Sequence, residues 1–360
     1  MSLKKTIINK ILLIVTIFNS FLIGEGIWVK YGWEIFEHVT DARSAAIGNA
    51  NTGYELYSIS ASLTNPAFAS KRIRDVSITH QSRFGGIVNS DVIGFQLGSK
   101  SKFINLNLLY EGVSQIPDTR YMLLDWGLDG QFGTNDLGEG NGILDEGERL
   151  DKDQLRYFNQ HQIGLHGAFI SNLIGIPIGI GYKILSYHLS EYFALGIGID
   201  VGYIKHLKKF TFGIVIRNLP ASGLIWDNGN IEGTMPSFSI GIHNSYDLKI
   251  KNSMIVINPM IEINGSLSNA NLDSQFRNRN LSMDTAYGLE CVYNDKAMLR
   301  LGRNSVNNLT GGIGCVWDGF GIDYAFISPA DNVDIGTHHL ISISLSVEFV
   351  KSKMMEITKS

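Results

Sequence analysis

The chain has 360 residues, a formal net charge of −4 and 30 Lys and Arg side chains that form no concentrated run. Nucleic-acid binding needs a concentrated basic surface, so the composition argues against nucleic acid as a partner. Glycine is abundant (39 residues) and proline is scarce (7 residues), which favours glycines in strands and turns over a disordered tract. Cys291 and Cys315 lack the spacing of a metal site or of a disulfide framework.

The first 26 residues have the pattern of a secretory signal peptide. Three lysines precede an apolar run at residues 11–23, and Gly24-Glu25-Gly26 offers small residues at the cleavage positions. The alternative is an uncleaved N-terminal anchor, but the run is short for a membrane span of about 20 residues. No later stretch of the sequence is long and apolar enough for a spanning helix. We therefore predict an exported chain that is either soluble or a β-barrel.

Residues 27–72 form a segment of a different kind. Its central part, residues 41–70, is rich in Ala, Ser, Gly, Asn and Thr, and it ends in the motif Asn65-Pro66-Ala67. No apolar face repeats along it, so it has no pattern for building a core of its own. We expect this segment to pack inside the wall of a membrane barrel.

From residue 73 to residue 349 the dominant pattern is an alternation of apolar and polar residues. In the segment 338–349, Ile341, Ile343 and Leu345 fall on one face, whereas serines and Glu348 fall on the other. The second face of these segments is dominated by Gly and Ser with scattered charges, which is typical of a crowded polar lumen. Strands of about 9 to 11 residues are long enough to cross a bilayer at a tilt.

Fourteen segments show this pattern, an even number as in bacterial outer-membrane barrels. The sequence thus predicts an all-β fold, a transmembrane antiparallel β-barrel of about fourteen strands. A soluble exported β-sandwich is the alternative, because its strands alternate in the same way. The predicted strands are residues 73–80, 91–99, 103–111, 161–171, 176–188, 193–206, 210–218, 236–246, 253–264, 285–294, 296–303, 309–318, 320–327 and 338–349.

The chain resembles the PorV/PorQ-type outer-membrane proteins, which belong to the wider FadL-like group of barrels. That group has a small-residue stretch of the type G-A-R-A-A-x-G-x-A ahead of an N-P-A-x-L motif. Here these motifs correspond to residues 41–50 and 65–69, and further matches are FTFGIVIRNL (210–219) and MPSFSIGIHNSY (235–246). The resemblance covers most of residues 40–349. It implies a location in the outer membrane of a Gram-negative bacterium, in contact with outer-membrane lipid.

The resemblance also implies that residues 27–72 are a hatch, meaning a plug inside the lumen. Its motif residues are Arg43, Gly48, Asn65, Pro66 and Ala67. Irregular backbone is tolerated at membrane depth only where protein or water satisfies it, as inside a barrel. We expect Arg43 to pair with an inward carboxylate. The lumen charges expected from the strand pattern are Asp200, Glu290, Arg300, Asp323 and Glu348.

Residues 125–153 form an acidic insert with nine acidic residues against Arg149 and Lys152, a net charge of about −7. The run Glu139 to Glu148 is similar to a calcium loop, in which oxygen ligands alternate and a glycine permits a sharp turn. With Gly142 as that glycine, the candidate calcium ligands are Glu139, Asn141, Asp145 and Glu148. The position of the first aspartate holds Leu137 instead. The alternative is a solvated extracellular loop without metal.

The chain departs from many outer-membrane barrels at its end, where Phe349 is followed by a C-terminal extension, residues 350–360. No G-x-S-x-G motif is present, and we predict a protein that is not an enzyme. The resemblance leaves two functional classes. One is an accessory of type IX secretion that receives exported proteins and passes them to other secretion components. The alternative is a FadL-like channel for long-chain fatty acids or other hydrophobic small molecules.

Overall fold

A computed structural model describes residues 33–349 and Met355, apart from residues 39, 57, 71–72, 74, 100–101, 174, 209, 267–273, 279–280, 318 and 330–335. The expected signal peptide (1–26), the first part of the hatch (27–32) and the C-terminal extension, Met355 excepted, lie outside the described residues. Among the described residues, no helix is long and apolar enough to cross a membrane.

The strands form one large antiparallel sheet. Their alternating apolar and small residues favour long, regular pairing, because one face can be apolar along its whole length. The strands are β1 (Asp75–Arg83), β2 (Val88–Ser99), β3 (Lys102–Asp118), β4 (Leu123–Leu124), β5 (Arg149–Leu150), β6 (Arg156–Leu173), β7 (Ile176–Leu189), β8 (Tyr192–His206), β9 (Thr211–Arg217), β10 (Ser222–Trp226), β11 (Ile231–Thr234), β12 (Ser237–His243), β13 (Tyr246–Ile250), β14 (Ser253–Ser266), β15 (Phe276–Asn278), β16 (Leu281–Tyr293), β17 (Ala297–Arg303), β18 (Leu309–Trp317), β19 (Phe320–Ile327) and β20 (His338–Ser346).

The sheet closes into a barrel because β1 pairs with β20, from Asp75↔Ser346 to Ser82↔His339. β9 and β10 follow each other along one wall strand, and β11, β12 and β13 along the next. β4 pairs with β5 outside the wall, and β15 pairs only with the end of β16. The described wall therefore has fourteen strands, and the predicted closed antiparallel barrel is confirmed. The soluble sandwich, which needs two stacked sheets, is wrong.

The two faces of the wall differ as the alternation predicts. On β8, Leu195 and Ile197 are 52% and 72% exposed, whereas Ala194 and Asp200, which lie on the opposite face of the strand, are buried. A single closed sheet with apolar side chains outside and polar or small ones inside is the arrangement of outer-membrane barrels. The chain is an outer-membrane protein of the Gram-negative type. Its long acidic loop marks the extracellular end, because periplasmic turns are short in such barrels.

The hatch segment lies inside the barrel and touches several sides of the wall. Its helices are short: α1 (Ile35–His38), α2 (Ala42–Ala46), α3 (Ala61–Thr64) and a 3₁₀ turn at Pro66–Ser70. Luminal glycines let its backbone approach closely. A Cβ on Gly213 of β9 would lie 1.9 Å from the carbonyl oxygen of Thr52, and a Cβ on Gly179 of β7 would lie 2.1 Å from the nitrogen of Ala67.

Several boundaries differ from the sequence prediction: β2 starts earlier, at Val88, β3 extends to Asp118 and β6 starts at Arg156. The first strand starts at Asp75 and extends to Arg83, and the last strand ends at Ser346. Glu348 therefore follows the strand and is exposed, so its assignment as a lumen charge is wrong. The alternation of residues 341–349 continues past the end of the strand, and periodicity by itself cannot show where hydrogen bonding to the neighbouring strand stops.

Candidate functional site

The expected lumen charges on β16, β17 and β19 meet in one buried cluster. Arg300 is 1% exposed. Its Nε lies 2.6 Å from Glu290 Oε2, and its Nη1 lies 2.7 Å from Asp323 Oδ1. Arg43 of the hatch reaches the same carboxylate, with its Nε 2.8 Å from Asp323 Oδ2. Two guanidinium groups and two carboxylates thus balance each other, as burial of charge requires.

The hatch contributes a second contact to this cluster. The Tyr54 hydroxyl donates a hydrogen bond to the Glu290 carboxylate. The side-chain amide of Asn258 on β14 donates to the Tyr54 hydroxyl oxygen at 3.0 Å. We call these six residues the hatch clamp: Arg43, Tyr54, Asn258, Glu290, Arg300 and Asp323. A cavity of about 20 Å³ beside Arg43 and Asp323 is the size of one water molecule, so the clamp itself leaves no room for a larger ligand.

The Asn65-Pro66-Ala67 turn packs on the opposite part of the wall. Asn65 Oδ1 accepts a hydrogen bond from the Ala67 amide at 3.0 Å, which closes the turn. Its Nδ2 donates to the Thr52 carbonyl at 3.0 Å and so connects two parts of the hatch. Gly48 has φ +69° and lies against Arg303, where a Cβ would come within 2.5 Å of a backbone carbonyl oxygen. Glycine is required there for conformation and for space.

Asp200 belongs to a separate cluster on the other side of the lumen. Its Oδ1 lies 2.8 Å from Lys183 Nζ and accepts from the Asn218 amide at 2.9 Å. Lys183 also donates to Asn218 Oδ1 at 2.6 Å, and Ser222 donates to the same oxygen at 2.8 Å. These bonds hold Asn218, whose φ is +58°, at the point where the seventh wall strand is interrupted.

The interruption lies between β9 and β10, at residues 218–221. On one side the ladder to β8 passes from Val201↔Ile216 to Ile197↔Gly223, so the wall strand holds extra residues there. On the other side the ladder passes from the pairing of β9 with β12 to the pairing of β10 with β11. Within this stretch the amide of Leu219 donates to the carbonyl of Ile199 at 2.7 Å. The ladders on both sides of this wall strand are therefore interrupted here.

Directly toward the extracellular end, apolar and small residues occupy one row of directly paired luminal positions, which we call a level, across six of the fourteen wall strands. Its members pair with one another across six neighbouring strands, β2, β3, β6, β7, β8 and β10. The levels on either side carry polar groups such as Glu111 and Gln162 above and Asn107 and His166 below. We call this row the luminal half-ring: Val92, Leu109, Gly164, Leu185, Gly196 and Leu224.

Two aromatic side chains of the hatch fill the gaps that the glycines leave in the half-ring. A Cβ on Gly196 would lie 2.8 Å from Trp33 Cζ2, and a Cβ on Gly164 would lie 3.0 Å from Phe36 Cζ. The two rings stack with their centroids 5.6 Å apart. Together with Ile35 and Leu63 they form one of three apolar clusters between the hatch and the wall. Its aliphatic and aromatic side chains are buried against one another.

The acidic loop does not bring its four candidate calcium ligands together. Glu139 accepts hydrogen bonds from the amides of Gly133 and Asn135, and Glu148 accepts from those of Gly127 and Asp145. Asn141 Nδ2 donates to Asp145 Oδ2 at 2.7 Å. Within the described part of the chain, no group of three or more His, Cys, Asp or Glu side chains could hold a metal ion. Calcium binding stays a prediction.

The sequence analysis missed one single residue and one set of residues that contact the hatch. One is Glu262 of β14, which accepts from the Thr52 amide of the hatch at 2.8 Å; its inward position follows from the alternation of residues 253–264. The other is the half-ring. Its members are scattered from residue 92 to residue 224, and no pattern within one strand indicates that they share a level.

No family model matches the chain, and a search of curated proteins finds no match. Among solved structures, the Pseudomonas putida toluene transporter TodX aligns over 84% of this chain and 98% of its own, at 9% identity and a TM-score of 0.46. A Pseudomonas aeruginosa FadL homologue aligns over 86% and 98%, at 9% identity and a TM-score of 0.43. The outer membrane protein Omp33 of Acinetobacter baumannii aligns over 76% and 96%, at 8% identity and a TM-score of 0.34. The resemblance to PorV/PorQ-type proteins stays a prediction.

Proposed function

We propose that this barrel carries small hydrophobic compounds across the outer membrane. The observation that supports the proposal is the luminal half-ring. Its four aliphatic side chains pack with Trp33 and Phe36 of the hatch into an apolar cluster inside the barrel. Binding sites for small apolar molecules are concave and lined mostly by aliphatic and aromatic side chains with a few polar groups.

The route proposed for such a compound starts at the extracellular mouth. Tyr187 and Trp226 lie there as a tilted aromatic pair, with ring centroids 5.3 Å apart, one level above Leu185 and Leu224. The hatch clamp lies along other strands of the wall, β14, β16, β17 and β19. The interrupted wall strand at residues 218–221 is next to Leu224, so the compound leaves sideways into the bilayer.

The secretion role predicted from the resemblance would use another part of the molecule. A docking protein would meet the acidic extracellular loop, and the apolar half-ring inside the lumen would have no part in that contact. A strain in which the gene for this protein is deleted, compared with the wild type, distinguishes the two roles. Loss of uptake of a lipophilic compound supports transport, whereas exported proteins held in the periplasm would support secretion.

A matched pair of substitutions on β7 tests the transport proposal. Leu185→Asn places a polar side chain in the half-ring, whereas Ser186→Asn changes the neighbouring residue on the outer face. We expect Leu185→Asn to lower uptake of toluene into intact cells at least about tenfold, since a buried amide without a partner costs roughly 1–3 kcal/mol. Ser186→Asn should leave uptake unchanged. Equal uptake in both variants would contradict transport through the half-ring.

A further inference from the structure

Two indole N–H groups at the half-ring have no hydrogen-bond partner. Trp33 is 2% exposed, and its Nε1 is buried without an acceptor. The Nε1 of Trp226 is buried in the same way. Tryptophan usually finds an acceptor for its N–H when it is buried, because an unpaired donor costs free energy comparable to a lost hydrogen bond. Two such donors lie at one apolar cluster.

The two tryptophans approach the half-ring from different sides. Trp33 belongs to the hatch and fills the gap at Gly196, which pairs directly with Leu185 and Leu224. Trp226 belongs to β10, and its neighbour across the sheet is Ala194. A molecule that enters the half-ring beside these rings would meet apolar side chains and two indole donors.

The cations near the half-ring are already ion-paired, which disfavours the binding of an anionic ligand. Lys183 lies one level below, with its Nζ 5.7 Å from the Trp33 ring centroid, and its charge is balanced by Asp200 at 2.8 Å. Arg83, toward the extracellular end, is ion-paired with Glu111. Both of these cations are already neutralised by partners, so an anion entering the half-ring would lose its hydration without gaining an ion pair.

We propose that the half-ring selects neutral apolar molecules that carry one hydrogen-bond-accepting oxygen, such as a carbonyl, which accepts from the indole N–H of Trp33 or Trp226. This inference rests on the proposed transport function and adds the class of ligand. It distinguishes such molecules from plain hydrocarbons, which leave the donors unpaired, and from carboxylates, which bring an unbalanced charge.

Three probes of similar size and shape test the inference: acetophenone, cumene and benzoate. The full barrel in nanodiscs is titrated with each probe by calorimetry, with empty nanodiscs as the blank. We expect acetophenone to bind about fivefold to tenfold more tightly than cumene, as one hydrogen bond of about 1 kcal/mol predicts. Benzoate should bind more weakly than either.

Variants that lack the indole N–H of Trp33 or Trp226 are compared with the wild-type barrel. Trp33→Phe and Trp226→Phe keep an aromatic ring in place and remove the N–H. In at least one of them we expect the preference for acetophenone over cumene, measured as the ratio of their affinities for the same variant, to fall below about twofold. Gel mobility with and without heating shows that each variant is a folded barrel.

The outcomes separate the two proposals. If none of the probes binds the wild-type barrel, the transport proposal and the ligand class both fail. If cumene and acetophenone bind equally, or if both tryptophan variants keep the preference, the half-ring still takes apolar molecules but the inferred acceptor is wrong. If benzoate binds most tightly, the half-ring accepts an anion and the inferred ligand class is wrong.

Discussion

At the scale of single residues, the lumen depends on charges that are buried only because they are paired. Arg300 joins Glu290 and Asp323, and Arg43 approaches Asp323 from the hatch. Removing one member leaves the others uncompensated in a site without bulk water. Breaking a buried pair in this way costs more than the pair contributes against an apolar replacement.

Arg300→Met should therefore destabilise the barrel strongly, by about 3–5 kcal/mol, because it leaves two buried carboxylates without their shared cation. Urea unfolding in liposomes measures the change in the free energy of unfolding. Arg303→Met on the same strand is the control. The Arg303 side chain donates to the backbone carbonyl of Asn307 and forms no ion pair within the described part of the chain. A similar loss in both variants would contradict the role of the hatch clamp.

A pH effect is expected at the extracellular turn between β7 and β8. The Arg120 side chain donates to Glu191 at 3.2 Å, and this hydrogen bond lowers the pKa of that carboxyl below its ordinary 4.5. A lowered folded-state pKa gives stability that is present at neutral pH and lost as the pH falls through that pKa. Carboxyl NMR should show Glu191 titrating below 4.5, and Arg120→Ala should raise its pKa. An unchanged pKa in the variant would refute the contact.

At the scale of elements, glycine decides where the hatch can dock. Gly179 of β7 faces the Asn65-Pro66-Ala67 turn so closely that a methyl group would collide with backbone atoms. The wall strand does not need glycine for its own conformation, since Gly179 does not have a positive φ. The small residue serves the contact with the hatch.

Gly179→Ala should loosen the hatch while the barrel stays closed. A Cβ there would lie 2.1 Å from the Ala67 nitrogen, so the turn must move. Hydrogen exchange of residues 60–70 should become at least about tenfold faster, whereas exchange of β1 and β20 should not change. Gly223→Ala is the control, because the nearest atom to its Cβ is 3.7 Å away. Unchanged exchange in Gly179→Ala would contradict this docking.

The acidic loop is the element on which the calcium hypothesis can be decided. The described loop already satisfies the oxygens of Glu139 and Glu148 with backbone amides. If calcium binds, these bonds must be exchanged for metal contacts, and Trp126 within the loop reports the change. The hypothesis predicts an altered Trp126 fluorescence at millimolar calcium that EDTA reverses and that Asp145→Asn with Glu148→Gln abolishes. No response to calcium would dismiss it.

At the scale of the whole molecule, the barrel and its hatch play separate parts. The wall closes through the pairing of β1 with β20, which involves no hatch residue. The hatch fills the lumen and joins β14, β16 and β19 on one side to β7 and β9 on the other. We therefore predict that the wall closes without the hatch and that the hatch blocks the lumen.

Deleting residues 33–70 should convert the barrel into an open pore. We expect no large conductance from the complete protein in planar bilayers and stable channel currents from the shortened one. The heat-dependent gel shift of a folded barrel should remain in both, because the ladder from β1 to β20 is intact. A complete protein with large currents would show that the hatch does not block the lumen.

The strands and their two faces could be predicted from the sequence because alternation is local. A residue and its neighbour two positions on lie on the same face whatever the rest of the chain does. The fourteen segments and the inward position of Asp200, Glu290, Arg300 and Asp323 follow from this rule. It fails at Glu348, because the pattern continues beyond the last hydrogen-bonded residue.

The site itself was decided only by the tertiary structure. The half-ring is drawn from six strands, and its level depends on the register of each strand against the next, which is set by pairing across the sheet. The partner of Arg43 among several candidate carboxylates depends on how the hatch folds inside a closed wall. Sequence alternation selects which side chains face the lumen, whereas register and closure select which of them meet.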